Sequence, residues 1–128
     1  RAARRRRAHQ RNEWLADVPE ITTPYEPDDC EHSYYLYTCL VQDAWAGGKR
    51  DALVARMSEE YGAGCVVANP PVYRSRKLLR DHTMGQAPLP VSENVGDRLF
   101  CAAIHPAMTD EQNEYIVSAL IECVERLR

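Results

Sequence analysis

Residues 98–128, RLFCAAIHPAMTDEQNEYIVSALIECVERLR, contain the two elements that decide the fold. The apolar run over 99–104 predicts a strand over 98–104, and Pro106 ends it because proline fixes its own φ and favours an extended residue before it. Thr109 then begins a helix, with Gln112 at the position that completes a capping box. This helix has one apolar face, so it requires a sheet to cover. The face comprises Ile116, Val117, Leu120, Ile121, Val124 and Leu127.

The preceding chain supplies the remaining elements of a small α+β domain. In chain order we predict a helix over 1–16, a central strand over 32–42, a helix over 49–61 and a short strand over 64–68. Gly62 occupies the C′ position that commonly ends a helix. The pattern therefore predicts an α+β fold with a small, mainly antiparallel sheet of about three strands. The first, second and last helices are expected to cover that sheet.

The first helix contains a run of arginines over 4–7. The run has two interpretations, a phosphate patch for nucleic acid or a solvated helix face whose acidic partners lie elsewhere. The second is favoured, because the formal net charge is −3 and no aromatic residue interleaves the arginines. We expect Ala8, Trp14 and Leu15 to be the buried contacts of this helix.

The least regular part of the chain lies between the short strand and the last strand. Residues 69–71, NPP, cannot continue a strand ladder because the two prolines lack amide hydrogens. We predict a short helix within 72–81, a loop over 82–90, and a turn over 93–97 that Ser92 caps. Irregular segments of this length tend to be functional.

Composition excludes several classes of protein. A chain of 128 residues has the length of one domain, and no apolar run is long enough to cross a bilayer. The count of 5 cysteines is odd, and no pair has metal-binding spacing, which favours free buried thiols in a reducing cytoplasm. The 4 histidines match no metal-ligand pattern, and there is no glycine-rich phosphate loop. The residues by themselves provide no catalytic, cofactor or metal site.

Six short motifs nevertheless occur in the order typical of one enzyme family. They are RxxRAxxRxxxL over 4–15, HSYYLY over 32–37, RDxL over 50–53, NPPVY over 69–73, LPVSE over 89–93 and IHPAMT over 104–109. Together they resemble the small domain of the DegT/StrS-type sugar aminotransferases over nearly the whole chain. Two positions depart from the family pattern: Arg11 stands in place of a tyrosine, and Tyr35 in place of a second histidine.

The resemblance implies a fold type I pyridoxal-phosphate enzyme that works as a homodimer. Such enzymes transfer an amino group from glutamate or glutamine to a keto sugar, often nucleotide-linked, or to a keto-cyclitol. Their cofactor-binding lysine lies in a preceding large domain. Residues 1–128 are therefore expected to be the carboxy-terminal small domain alone, without that lysine and inactive by itself. The start at Arg1, inside a predicted helix and without methionine, also suggests a fragment.

The resemblance places the small domain at one side of the active-site cleft, and the segment 69–76 is the candidate to reach substrate. Asn69 is suited to hydrogen bonds with sugar hydroxyls, and Tyr73 to stacking on a ring. Arg74 or Arg76 is suited to pairing with a phosphate or carboxylate. The alternative for each residue is loop packing or surface charge.

Three other functions compete with the aminotransferase. The family includes dehydratases in which histidine replaces the cofactor lysine. The chain could also be a stand-alone, non-catalytic α+β binding module that uses the proline-rich loop or the tyrosine strand. A nucleic-acid binder would use residues 1–11.

Overall fold

The structure is a computed structural model that describes residues 1–83 and 89–128. In chain order its elements are α1 (Ala2–Trp14), β1 (Ile21–Thr22), β2 (Tyr37–Val41), α2 (Gly48–Glu59), β3 (Cys65–Val66), α3 (Val72–Ser75), α4 (Lys77–Thr83), α5 (Pro90–Arg98), β4 (Leu99–Ala102) and α6 (Asp110–Glu125). A turn of 3-10 helix, Asp43–Trp45, lies between β2 and α2. Within this described part, no helix is long and apolar enough to cross a bilayer.

The four strands form one antiparallel sheet in the order β1-β2-β4-β3. The predicted α+β class and the small antiparallel sheet are confirmed, and the predicted central strand is interior as β2. The sheet has one more strand than expected, because the two-residue β1 lies in a proline-rich connection without a strand pattern. The predicted strand 32–42 begins only at Tyr37, since Tyr34 has a φ of 46° and lies outside extended geometry.

One face of the sheet and the three predicted covering helices share a single hydrophobic core. α6 contacts both α1 and α2, and α2 also contacts β3 and β4. The fully buried residues of this core include Ala8, Tyr37, Cys39, Val41, Leu53, Met57, Phe100, Cys123 and Val124. Burial of Ala8 and Leu15 is confirmed. The prediction for Trp14 is wrong, because 40% of that residue is exposed at the end of α1.

The capping box at the start of α6 is confirmed. The Thr109 hydroxyl accepts a hydrogen bond from the Gln112 backbone amide at 3.2 Å. In return, the Gln112 side-chain oxygen accepts one from the Thr109 amide at 2.9 Å. The box satisfies amides that the first turn of a helix otherwise leaves without partners.

Arg11 is a fully buried cation inside the apolar core. Its Nε donates to Asn113 Oδ1 and its Nη2 donates to the Ala103 carbonyl, each at 2.7 Å. The guanidinium carbon lies 5.1 Å from the centre of the Tyr37 ring. Burial lowers the pKa of Arg11 to about 10, so the side chain remains charged at neutral pH. The guanidinium thus cross-links α1, α6 and the segment after β4. In the family that the sequence resembles, this position of α1 is a tyrosine.

The arginine run is paired mainly with acidic residues of the same chain. Arg5 contacts Glu26 at 2.6 Å, and Arg6 contacts Asp110 at 2.9 Å, as the solvated-face interpretation predicted. Arg7 does not belong to that face, because it is buried and donates to the Pro106 carbonyl at 3.3 Å. The charges of Arg5 and Arg6 are thus compensated by carboxylates of the same chain.

The region between β3 and β4 is more helical than predicted. The short helix expected within 72–81 corresponds to α4, and α3 is an additional turn that the extended conformation of Arg76 separates from it. In the predicted loop 82–90, residues 82–83 belong to α4 and Pro90 begins α5, while Gly85 and Pro88 lie outside the described residues. Ser92 is not a cap. Pro90 at the first turn starts the helix, since its φ is preset for that position.

The cysteines are free thiols, as predicted. Cys39, Cys65, Cys101 and Cys123 are buried, and Cys30 is exposed. Burial raises the pKa of Cys65 to about 12, which keeps that thiol protonated and unreactive at neutral pH.

The core packing predicts a large destabilisation for Phe100→Ala. The residue is fully buried at the centre of β4, so truncation leaves a cavity and should lower the free energy of unfolding by about 3–5 kcal/mol. Val91, which is 76% exposed, provides the control. Val91→Ala should change the free energy of unfolding by less than about 0.5 kcal/mol. Urea unfolding followed by circular dichroism measures both, and equal midpoints would contradict the core assignment.

Candidate functional site

The predicted substrate-contacting segment, residues 69–76, connects β3 to α4 at the surface. Asn69 is exposed and has a φ of 53°, a left-handed conformation that asparagine tolerates better than most residues. Pro70 and Pro71 follow, and α3 then forms a single helical turn.

Pro71 lies directly against the backbone of α5. A Cβ atom at Gly96 would lie 2.5 Å from Pro71 Cγ and 2.7 Å from Pro71 Cδ, closer than real Cβ contacts allow. Glycine is therefore the residue that lets the loop approach this helix.

Two of the four predicted residues contact carboxylates of α5. The Tyr73 hydroxyl donates to Glu93 Oε1 at 3.5 Å. Arg74 Nη1 donates to Asp97 Oδ1 at 2.7 Å, and its Nη2 lies 3.8 Å from Glu93 Oε2. Partial burial and the Glu93 charge raise the pKa of Tyr73, so its hydroxyl keeps the proton that it donates.

The other two predicted residues, Asn69 and Arg76, have exposed side chains. Among the residues that the structure describes, no carboxylate lies within ion-pair distance of Arg76. The structure therefore divides the four predicted residues into two that contact α5 and two that face solvent. Sequence reasoning missed Glu93 and Asp97 as partners, although Glu93 is the last residue of the LPVSE motif.

A cavity of about 570 Å³ lies elsewhere, between the end of β4 and the first turns of α6. His105 is among its lining residues, while Ala103, Met108 and Ile116 give it apolar walls. None of the four predicted site residues lines this cavity. His105 lies beyond the end of β4, which ends at Ala102.

A polar cavity of about 380 Å³ lies beside α1, with Glu26 and Tyr34 among its lining residues. Glu26 accepts hydrogen bonds from Arg5 Nη1 at 2.6 Å, from the His32 amide at 2.7 Å and from the Tyr34 hydroxyl at 3.3 Å. The Arg5 hydrogen bond, followed by that of His32, lowers the pKa of Glu26 to about 2. In the described ranges, no group of three His, Cys, Asp or Glu residues could hold a metal ion.

Neither lysine of the chain fits the role of a cofactor-binding residue. Lys49 is exposed, donates to the Leu127 carbonyl at 2.6 Å and lies 5.0 Å from the centre of the Trp45 ring. Lys77 is exposed and pairs with Asp81. A lysine that forms a Schiff base requires a desolvated pocket, which neither position offers.

Comparison with known proteins decides the family. The sequence model of the DegT/DnrJ/EryC1/StrS aminotransferase family matches residues 1–121. This chain belongs to that family. Its relative SpsC of Bacillus subtilis (strain 168), a spore coat polysaccharide biosynthesis protein, is 25% identical over 108 residues, which cover 84% of this chain and 28% of SpsC.

Solved structures of other proteins share the fold. The aminotransferase TlmJ from Streptoalloteichus hindustanus superposes with a TM-score of 0.82 at 21% identity, over 98% of this chain and 32% of TlmJ. The PLP-form of Spr1654 from Streptococcus pneumoniae gives a TM-score of 0.87 at 16% identity, over 99% of this chain and 32% of Spr1654. The chain thus spans about a third of the length of these proteins.

The low pKa of Glu26 predicts a pH dependence of stability. The folded-state pKa lies below the ordinary value of 4.5, so the ionised carboxylate stabilises the fold above pH 4.5, and this contribution is lost as the pH falls towards 2. Glu26→Gln should lower the melting temperature at neutral pH, and its difference from wild type should shrink across that acid range. Thermal unfolding at a series of pH values measures this.

The control for this prediction is Glu114→Gln, at an exposed position on α6. It should follow the wild-type melting temperature at every pH. A Glu26→Gln variant with the same difference from wild type at neutral and acid pH would show that the Arg5–Glu26 pair does not stabilise the fold.

Proposed function

We propose that residues 1–128 are the carboxy-terminal small domain of a pyridoxal-phosphate-dependent sugar aminotransferase. The observation that carries the proposal is the family match over residues 1–121. The whole enzyme would transfer an amino group from glutamate or glutamine to a keto sugar, often nucleotide-linked, or to a keto-cyclitol. It would work as a homodimer in the cytoplasm, and this domain alone would be inactive.

The surface positions of both lysines support a cofactor site that lies in another part of the enzyme. Lys49 and Lys77 make exposed contacts that leave no pocket for a cofactor aldehyde. The cofactor lysine and the residues that hold the ring and phosphate would therefore lie in the part of the enzyme outside this chain. Bound pyridoxal phosphate would supply the electron sink for amino transfer.

The segment 69–76 is the part of this domain that we assign to the substrate side of the cleft. Arg76 supports the assignment because it is an exposed cation without a described carboxylate partner, suited to a phosphate or carboxylate of the acceptor. Asn69 would bond sugar hydroxyls. Tyr73 and Arg74 would contribute through the outer edges of side chains that already contact α5.

The first test is whether the full-length protein carries the cofactor and transfers amino groups. Purified protein should show the visible absorbance of bound pyridoxal phosphate. It should also aminate at least one member of a panel of dTDP-linked and UDP-linked 4-keto hexoses and keto-cyclitols with glutamate or glutamine. Loss of water from the sugar without amination would show a dehydratase instead. Absence of cofactor and of both reactions would favour the non-catalytic binding module.

The proposed charge contact predicts the kinetics of Arg76→Ala. Loss of a charge-assisted contact to the acceptor should lower kcat/KM for the acceptor about tenfold, while KM for the amino donor stays within about twofold. Arg80→Ala is the matched control, because Arg80 is an exposed arginine four residues further on in α4. Steady-state kinetics with both substrates measure the effect.

The same assay tests the side chains that contact α5. Tyr73→Phe and Arg74→Ala should each change KM or kcat for the acceptor by more than about twofold. If Arg76→Ala, Tyr73→Phe and Arg74→Ala all behave like Arg80→Ala, the segment does not contact substrate.

A further inference from the structure

The segment 69–76 has little support from its own backbone. Two consecutive prolines remove amide donors, and α3 is a single turn of four residues. A loop of this kind takes its position from the element beneath it, which here is α5. What holds α5 and the loop together therefore decides where Asn69 and Arg76 are presented.

Pro71 of the loop packs closely against Gly96 of α5. Any side chain at position 96 would meet the Pro71 ring at 2.5–2.7 Å. Glycine weakens a helix interior relative to alanine, so the helix itself gains nothing from this residue. The close approach of Pro71 gives the physical reason for a glycine at this position.

The same turn of α5 is anchored to the rest of the domain. Arg50 is buried, and its Nη1 donates to the Gly96 carbonyl at 2.9 Å and to the Leu99 carbonyl at 2.8 Å. The Gly47 amide donates to the Asp97 carbonyl at 2.8 Å. The start of α2 thus holds the turn of α5 on which the loop rests, which assigns a physical role to the arginine of the RDxL motif.

Glu93 and Asp97, one turn apart on α5, face the consecutive residues Tyr73 and Arg74. The two carboxylates neutralise the Arg74 charge, whereas Arg76 has no such described partner. The loop therefore carries one compensated arginine and one exposed arginine. Of the two, the uncompensated guanidinium is the one suited to an anionic group of a ligand.

We propose that Glu93, Gly96 and Asp97 are positioning residues that seat the 69–76 loop on α5 and so present Asn69 and Arg76 to the sugar acceptor. These residues of α5 act through their contacts with Arg74 and Pro71. The Arg74 side chain therefore connects the loop to the helix. The inference rests on the proposed function for its link to substrate, and on the structure alone for the seating.

The test uses the full-length protein and the Gly96→Ala variant. Alanine at position 96 must displace Pro71, so trypsin should cleave after Arg74 and Arg76 about tenfold faster than in wild type. The kinetic assay uses the acceptor sugar on which the wild-type enzyme is most active. KM for this acceptor should rise about tenfold, and kcat should change less. Because alanine strengthens a helix, weakening of α5 itself cannot explain faster cleavage.

The chain offers a matched control and a rescue. Gly48→Ala adds the same atom to α2, where nothing lies within 4 Å, and should leave both cleavage and KM unchanged. Pro71→Ala in the Gly96→Ala background removes the ring atoms that clash and should restore both towards wild type. The isosteric pair Glu93→Gln with Asp97→Asn should shift both readouts in the same direction as Gly96→Ala.

The outcomes separate the two proposals. Gly96→Ala cleaved at the rate of Gly48→Ala, or not rescued by Pro71→Ala, would overturn the seating. Faster cleavage with rescue, but an unchanged acceptor KM, would support the seating and contradict the assignment of the loop to substrate. Faster cleavage and a raised KM, both rescued, would support the whole inference.

Discussion

Burial of the apolar face of α6 in the core that it shares with the sheet, α1 and α2 is the interaction on which the rest of this domain depends. α6 is the longest helix described and contacts both other core helices, so α1 and α2 are positioned by packing on it. The interior strands β2 and β4 supply Tyr37, Cys39 and Phe100 to the same core. Removing this apolar surface from water provides the main driving force, and the three helices share it.

Two buried arginines connect the elements that packing brings together. Arg11 joins α1 to Asn113 and to the Ala103 carbonyl, and Arg50 joins α2 to the carbonyls of Gly96 and Leu99. Backbone carbonyls at the ends of elements have unfilled acceptor capacity, and the rigid guanidinium fork can satisfy two groups at once. Arg11 thereby fixes the irregular segment after β4, and Arg50 fixes the junction between α5 and β4.

In the 69–76 loop, some residues contact α5 and others face solvent, and these connections explain the difference. Arg50 holds the turn of α5 that contains Gly96, and that turn carries the proline and Arg74 of the loop. The exposed Asn69 and Arg76 are thereby placed by residues that need not touch a ligand. The RDxL and LPVSE motifs therefore both contribute to the same region around α5, through Arg50 and Glu93.

Local signals in the sequence by themselves determined the strand before His105-Pro106, the capping box of α6 and the α+β class. Each depends on residues that are near one another in the chain, where proline geometry, capping and periodicity act. The helix predicted to run up to Gly62 ends earlier, at Glu59. The order of short motifs also identified the family and indicated residues 69–76 as the candidate segment for substrate contacts.

Only the tertiary structure decided which polar residues are buried and which partners they take. The two-residue β1 exists because Ile21 pairs with Val41, and Arg11 is buried because Asn113, about a hundred residues away, accepts its hydrogen bond. Arg74 and Arg76 have the same side chain two residues apart, yet Arg74 meets Asp97 while Arg76 faces solvent. The physical reason is that long-range packing sets these distances, and a linear pattern carries no information about which distant groups meet.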